Sequence, residues 1–265
     1  MTLLRRLNPG VPICGVFGGE RGYKANAFRV GGKTVLGLDD FYWSRQEAHW
    51  NWKNGDLVLA SWYRDVGCRL EFDVVHIVEW DLLLVDSLER LYASVPREAV
   101  GLTAFTPLSL VGPGWHWLQR PEDRRQWEEL LTLARSAWSY DSVPHACVFP
   151  GCCFPRSFLA QYAALDPPDL CHDELRLPLL VQILGFPVAE TGFRRQSEAP
   201  GDRFFTDREE DRLFNTIGRE IDPATILAEL RKSDGRRAFH PVRAPLRELS
   251  RMIGEPADVP SSTQH

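Results

Sequence analysis

Apolar and polar positions along the chain follow two rhythms, and the switches between them mark the expected elements. Residues 72–78, Phe-Asp-Val-Val-His-Ile-Val, form a near-continuous apolar run, the pattern of a strand covered on both faces inside a parallel sheet. Residues 11–17 are apolar and β-rich and break at Gly18-Gly19. Residues 3–7 before them read as the last turns of a helix ending at Asn8-Pro9. Gly31-Gly32 separates two short extended pieces, and residues 39–43, Asp-Asp-Phe-Tyr-Trp, lead into a polar region ending at Asn54-Gly55. Asp56 is expected to cap a helix over 57–66, with Gly67 ending it. A short helix at 87–94 and a strand at 101–105 follow. Residues 121–138 then form an amphipathic helix with Pro121 at its first turn and Glu122 and Asp123 near its positive end. Beyond it, 147–149 reads as extended and 156–163 as helical. Residues 173–184 read as a helix interrupted by Pro178 and closed by Gly185. A strand at 187–190, a charged loop at 194–210, a helix at 223–231 and an extended stretch at 238–242 complete the alternation, which is that of an α/β protein.

With 265 residues, 44% apolar and 25% charged, the chain can bury a sizeable core. Residues 1–254 read as a single domain, without internal repeat or low-complexity linker, and 255–265 as a disordered tail. The formal net charge of −5 gives no general pull toward a phosphate backbone or an anionic membrane, so nucleic acid is not the expected partner. Only Lys24, Lys33, Lys53 and Lys232 are lysines; arginine is better suited to forked contacts with carboxylate or phosphate, although codon composition explains the same bias. The six cysteines make no CxxC pair and read as reduced thiols of a cytoplasmic protein. No apolar stretch follows Arg5-Arg6 to suggest an export leader, and the most apolar segment, 74–85, is interrupted by His76, Glu79 and Asp81.

The sharpest chemical feature is Glu79-Trp80-Asp81 at the end of the strongest strand. If strand geometry continues through them, both carboxylates project to one face at a strand's carboxyl end, where ligands of open α/β sheets collect. Such a pair suits Mg²⁺ or Mn²⁺; the bland alternative is a solvated strand end or pairing with arginines. Cys171-His172-Asp173-Glu174 opens a helix, where capping accounts for one acid and leaves the other as a candidate general base. His172 reads as a packing or surface histidine. His240, in Phe-His-Pro, is either an exposed histidine or a metal or diphosphate ligand. Gly32-Lys33-Thr34 lacks the glycine five positions earlier that a phosphate-cradling loop requires, so an ATPase is rejected. Cys152 and Cys153 have no recognisable base beside them. Trp43, Trp50, Trp52, Trp62 and Trp80 crowd the first third, where some rings can stack on sugars or bases and the rest pack.

Taken in order, these pieces resemble a bacterial glycosyltransferase of the GT-A type, the nucleotide-diphospho-sugar transferase fold. The likeness is carried by Leu7-Asn8-Pro9 with residues 11–19, Trp62-Tyr63-Arg64, the run 75–81, Phe149-Pro-Gly leading to Pro155-Arg156-Ser157-Phe158, His172-Asp-Glu-Leu-Arg176 and Phe239-His240-Pro241. It implies a Rossmann-like mixed, mostly parallel central sheet with helices on both faces. It also implies transfer of a sugar from a nucleotide-diphosphate donor to an acceptor hydroxyl. Glu79, Asp81 and His240 then hold a divalent cation (Mn²⁺ or Mg²⁺), Trp80, Asp81 and Arg64 contact the donor, and Asp173 or Glu174 acts as base. Two departures stand out: the acidic pair begins with Glu rather than Asp, and Met1 falls inside what would be the family's first helix, leaving the first strand missing. Competing readings are a non-catalytic partner subunit on the same scaffold and a nucleotidyltransferase-like enzyme that releases pyrophosphate. A peripheral membrane contact with a lipid-linked acceptor has no basic amphipathic anchor to support it.

Overall fold

The computed structural model describes residues 2–18, 37–194, 212–216 and 218–243. In chain order the elements are α1 (Thr2–Leu7), β1 (Cys14–Phe17), β2 (Asp40–Trp43), α2 (Ala48–Lys53), α3 (Gly55–Asp65), β3 (Val74–His76), β4 (Leu83–Leu84) and α4 (Leu88–Leu91). There follow β5 (Val100–Pro107), α5 (Leu108–Val111), α6 (His116–Gln119), α7 (Pro121–Trp138), β6 (His145–Pro155), α8 (Arg156–Leu165) and α9 (Asp173–Ile183). The last are β7 (Val188–Glu190), α10 (Pro223–Leu230) and β8 (Ala238–Phe239). Gly31-Gly32, Gly32-Lys33-Thr34, most of the charged 194–210 stretch and the tail after 254 lie outside the described residues.

The main sheet has the order β3-β6-β5-β7. β6 runs antiparallel to both β3 and β5, and β7 runs parallel to β5, so three strands share a direction and the long β6 opposes them. The fold is therefore mixed α/β around a mixed sheet. β1 pairs in parallel with β2 in a separate two-stranded sheet. Successive residues of β6 feed opposite faces, as the two-residue period of a strand requires. Ala146 and Val148 join one core with Trp127, Leu130 and Ala134 of α7, whereas Cys147 and Phe149 join another with Ala60 and Trp62 of α3 and Phe158, Leu159 and Tyr162 of α8. Helices thus cover both faces. α9 is buried almost all round and contributes to both cores.

α7 has the bounds its pattern predicts. Pro121 occupies the first turn, Trp127, Leu130 and Ala134 fall on one face, and Ser139 ends the helix in a left-handed conformation at φ 53°. Other expectations need correction. The run 72–78 yields only three residues of strand. These occupy the edge of the described sheet, pair only with the antiparallel β6, and are half-buried rather than covered on both faces. Asp56 does not cap α3; Asn54 holds that position, and Asp56 is withdrawn into an ion pair with Arg176. Likewise His172, not Asp173, is the N-cap of α9, its Nδ1 facing the Glu174 amide. The polar region before Asn54 contains the short helix α2, which has no buried residue and so no apolar stripe to betray it.

Arg176 organises the ground beneath α9. Its fully buried guanidinium donates to both oxygens of Asp56, to Asn54 Oδ1 at 2.9 Å and to the carbonyls of Leu170 and Cys171 at 3.0 Å each. All five of its N–H donors are thereby used, and the loop entering α9 is fixed to the start of α3. The Tyr162 hydroxyl of α8 also donates to Asp56. At the other end of the chain, β8 pairs antiparallel with β4, Leu83 opposite Phe239 and Leu84 opposite Ala238. Flanking bonds extend this pairing: the Val85 amide donates to the Arg237 carbonyl at 2.8 Å and the Val242 amide to the Asp81 carbonyl at 2.7 Å. A third apolar cluster, including Leu3, Leu83, Ile226, Phe239 and Val242, supports it.

Candidate functional site

After His76 the chain stays hydrogen-bonded to β6 through Ile77 and then turns, the Leu82 amide donating to the Glu79 carbonyl at 3.0 Å. Glu79 and Asp81 therefore sit on a turn, not on a continuing strand, and the turn itself brings their carboxylates together. The β4–β8 pairing delivers His240 to the same place. One ligand atom from each of Glu79, Asp81 and His240 lies within 4.8 Å of the others. His240 Nε2 is 3.4 Å from Asp81 Oδ1 and 3.9 Å from Glu79 Oε2. A small divalent cation bonded at ~2.1 Å draws its ligands to within ~4.2 Å of each other, a limit that both histidine–carboxylate spacings already meet.

The surroundings suit that use. His240 Nδ1 lies 2.8 Å from the Asn215 carbonyl, to which it donates in the tautomer that leaves Nε2 facing the carboxylates. Arg243 Nε donates to Asp81 Oδ2 at 3.3 Å, leaving Oδ1 toward His240. Burial pushes Glu79 up to about 7 against the pull of His240, with Asp173, Asp81 and Glu174 adding to the rise. Burial also acts to raise Asp81, but hydrogen bonds and charge from His240 and Arg243 outweigh it and hold Asp81 below its ordinary value. For His240, burial is overcome by Asp81 and Glu79, and its pKa is raised. Two carboxylates and an oriented imidazole are a donor set that fits Mn²⁺ or Mg²⁺, the nitrogen favouring Mn²⁺.

The second half of the site is the start of α9. Asp173 is buried; its Oδ2 accepts from the Gly55 amide at 2.9 Å and its Oδ1 lies 2.7 Å from His172 Nδ1. That nitrogen also lies 3.3 Å from the Glu174 amide, and it can serve only one partner at a time: Asp173 when protonated, the amide when not. Gly55 is required here, because a Cβ would lie 2.6 Å from the Phe149 ring and 3.0 Å from Asp173 Oδ2. Glu174 Oε2 accepts from Trp117 Nε1 at 2.7 Å. Burial lifts Glu174 to about 7, His172 opposing and Asp173 reinforcing the shift. Trp117 in turn stacks on His172, ring centroids 3.7 Å apart and 10° from parallel.

The structure thus brings Glu79, Asp81 and His240 together and sets Asp173 and Glu174 near enough to act on the charge of Glu79. Trp80 stands beside them, 80% exposed, with the Arg243 guanidinium 5.6 Å above its ring. Arg64 is engaged elsewhere, donating to the Ala163 carbonyl and to Asp166, both at 3.0 Å, at the end of α8. Sequence reasoning missed Trp117, Arg243 and Gly55. The aromatic-rich Trp115-His116-Trp117 was the available signal for the first; nothing local marked the others. All six cysteines are free thiols, and among the described residues no helix is long and apolar enough to cross a membrane. No protein-family model matches the chain, and no match is found among curated proteins or solved structures.

Proposed function

We propose that the chain is a divalent-cation-assisted glycosyltransferase that moves a sugar from a nucleoside-diphosphate donor to an acceptor hydroxyl. The observation that carries this reading is the meeting of Glu79 and Asp81 with His240, about 160 positions later in the chain, with Glu174 near enough to act on the charge of Glu79. Helices on both faces of a mixed sheet supply the kind of α/β scaffold this reading needs, and free thiols fit a cytoplasmic setting. A cation held by Glu79, Asp81 and His240 supplies positive charge where the leaving diphosphate gathers negative charge. Arg243 and Trp80 border that position and can contact the donor.

Glu174 is the base in this reading. Its pKa of about 7 leaves a large ionised fraction at neutral pH while keeping it basic enough to accept a proton. The acceptor oxygen bonds to the anomeric carbon as the bond from that carbon to the diphosphate oxygen breaks, the electron pair leaving with the diphosphate. The acceptor proton passes to Glu174. Asp173, held by Gly55 and His172, is a positioning residue that fixes the first turn of α9.

The test is calorimetric titration of the full chain with UDP and GDP, with and without Mn²⁺, alongside Asp81→Ala. Mn²⁺-dependent nucleotide binding that weakens at least about ten-fold in the variant is expected, in line with the loss of a first ligand. Absence of nucleotide binding under every condition would overturn the reading in favour of a non-catalytic partner subunit. Release of pyrophosphate from a nucleoside triphosphate would overturn it in favour of nucleotidyl transfer.

A further inference from the structure

Trp52 is 59% exposed, yet it is firmly placed. Its neighbours on α2 are tied down on both sides: Trp50 Nε1 donates to Asp169 at 2.6 Å, and Lys53 Nζ reaches Asp123 at 3.2 Å and Gln126 at 3.0 Å. The Trp52 ring stands at steep angles to Trp117 and His172, centroids 5.2 and 5.7 Å away, and is tilted 35° from His49 at 5.7 Å, yet more than half of its surface stays open. No residue of α2 is buried, so the helix does not hold Trp52 there to fill the core. One ring further in, Trp117 holds the Glu174 carboxylate at 2.7 Å.

We propose that Trp52 is the stacking platform for a pyranose ring of a carbohydrate acceptor, presenting one of its hydroxyls toward Glu174. This rests on the glycosyltransferase reading and names the acceptor class. A pyranose has an apolar C–H face and a polar rim. The first matches an exposed indole, and the second matches the Glu174 carboxylate that Trp117 holds behind it. The charge around the site selects in the same direction. Glu174, with Asp173 beside it, disfavours an anionic acceptor head such as a lipid phosphate, whereas a neutral polyol pays no such penalty.

The test is saturation-transfer NMR on the full chain with methyl β-glucopyranoside, methyl β-galactopyranoside and methyl α-mannopyranoside, with glycerol as a polyol lacking a ring. Saturation of the ring C–H protons of at least one glycoside, but not of glycerol, is expected. It should fall about five-fold or more in Trp52→Ala and survive in part in Trp52→Phe, as loss and retention of an aromatic face require. The thermal midpoint of each variant reports whether it folds, and the phenylalanine chain supplies the comparison where the alanine chain does not. Undiminished transfer in folded Trp52→Ala, or no transfer to any glycoside by the native chain, overturns the proposal. Titrating the same native sample with UDP and GDP in Mn²⁺ separates the two readings. Nucleotide binding without glycoside contact removes the carbohydrate acceptor alone. Glycoside contact at Trp52 without nucleotide binding removes the transferase reading and leaves the platform.

Discussion

Asp173 gives Oδ2 to the Gly55 amide and sets Oδ1 2.7 Å from His172 Nδ1, whereas Glu174, next to it, takes one side-chain hydrogen bond among the described residues, from Trp117, and remains partly open to solvent. The two acids should therefore fail differently. Glu174→Gln should leave thermal stability no lower than native and lower turnover by about 10²–10⁴-fold. Asp173→Asn should lower the thermal midpoint as well, because the fixed start of α9 depends on it. Since Glu174 must be ionised to accept a proton and titrates near 7, turnover should rise with pH and level above about 7, a limb that vanishes in Glu174→Gln. At this scale much of the site was legible. Carboxylate and imidazole are recognisable as hard-cation ligands wherever they stand, and the helix-start acids drew notice because capping needs only one of them. The sequence could not say which acid was spare. That depends on Gly55 and Trp117, contributed by distant elements, and Arg64 illustrates the same limit from the other side.

Between elements, the buried Arg176–Asp56 pair joins α9 to α3 with Tyr162 of α8 in attendance. Arg176→Met would strand the Asp56 carboxylate in the interior and should cost roughly 3–5 kcal/mol, read from urea unfolding. The double variant Asp56→Leu with Arg176→Met should recover part of that loss, because no charge is left unpaired. Gly151 breaks β6 at φ +79°, and a Cβ there would lie 2.6 Å from the Phe193 ring. Gly151→Ala should cost at least about 1–3 kcal/mol by the same measurement, with strain and overpacking acting together. Elements with a local cause were readable: α7 carries its own proline start, acidic first turn and apolar stripe. β3 was misjudged because an apolar run records burial and not strand direction, and the antiparallel β6 that covers it comes some seventy positions later in the chain.

For the molecule as a whole, the acids raised by burial shape the pH response on the alkaline side. Glu79 and Glu174 titrate near 7 in the native state against an ordinary value of about 4.5, so between those limits the folded chain holds more protons than the unfolded one. Their contribution is fully present below about 4.5 and is lost as pH rises to about 7. His240, whose pKa is also raised, adds a loss of the same sign on the alkaline side of its ordinary value. His76, which burial lowers to about 4, contributes in the opposite sense up to about pH 6.5, so without added cation the thermal midpoint should fall between about pH 6.5 and pH 8. Mn²⁺ should restore it at pH 8, where the ligands are ionised, and do little at pH 5, where protons compete. The mixed α/β class followed from alternating local patterns, but the order of the strands did not, because pairing is decided between residues that no local pattern connects.

The pairing of residues 81–85 with 237–242 has a consequence for how the protein comes into being. Glu79 and Asp81 leave the ribosome early, and the sheet that carries them can assemble on β6 and β7 while the imidazole that completes the trio is still unsynthesised. A nascent or prematurely terminated chain would thus hold two acids and no third ligand. On the proposed reading, competence for donor chemistry would be conferred by the last described strand to be made, so that an unfinished chain could not consume activated sugar.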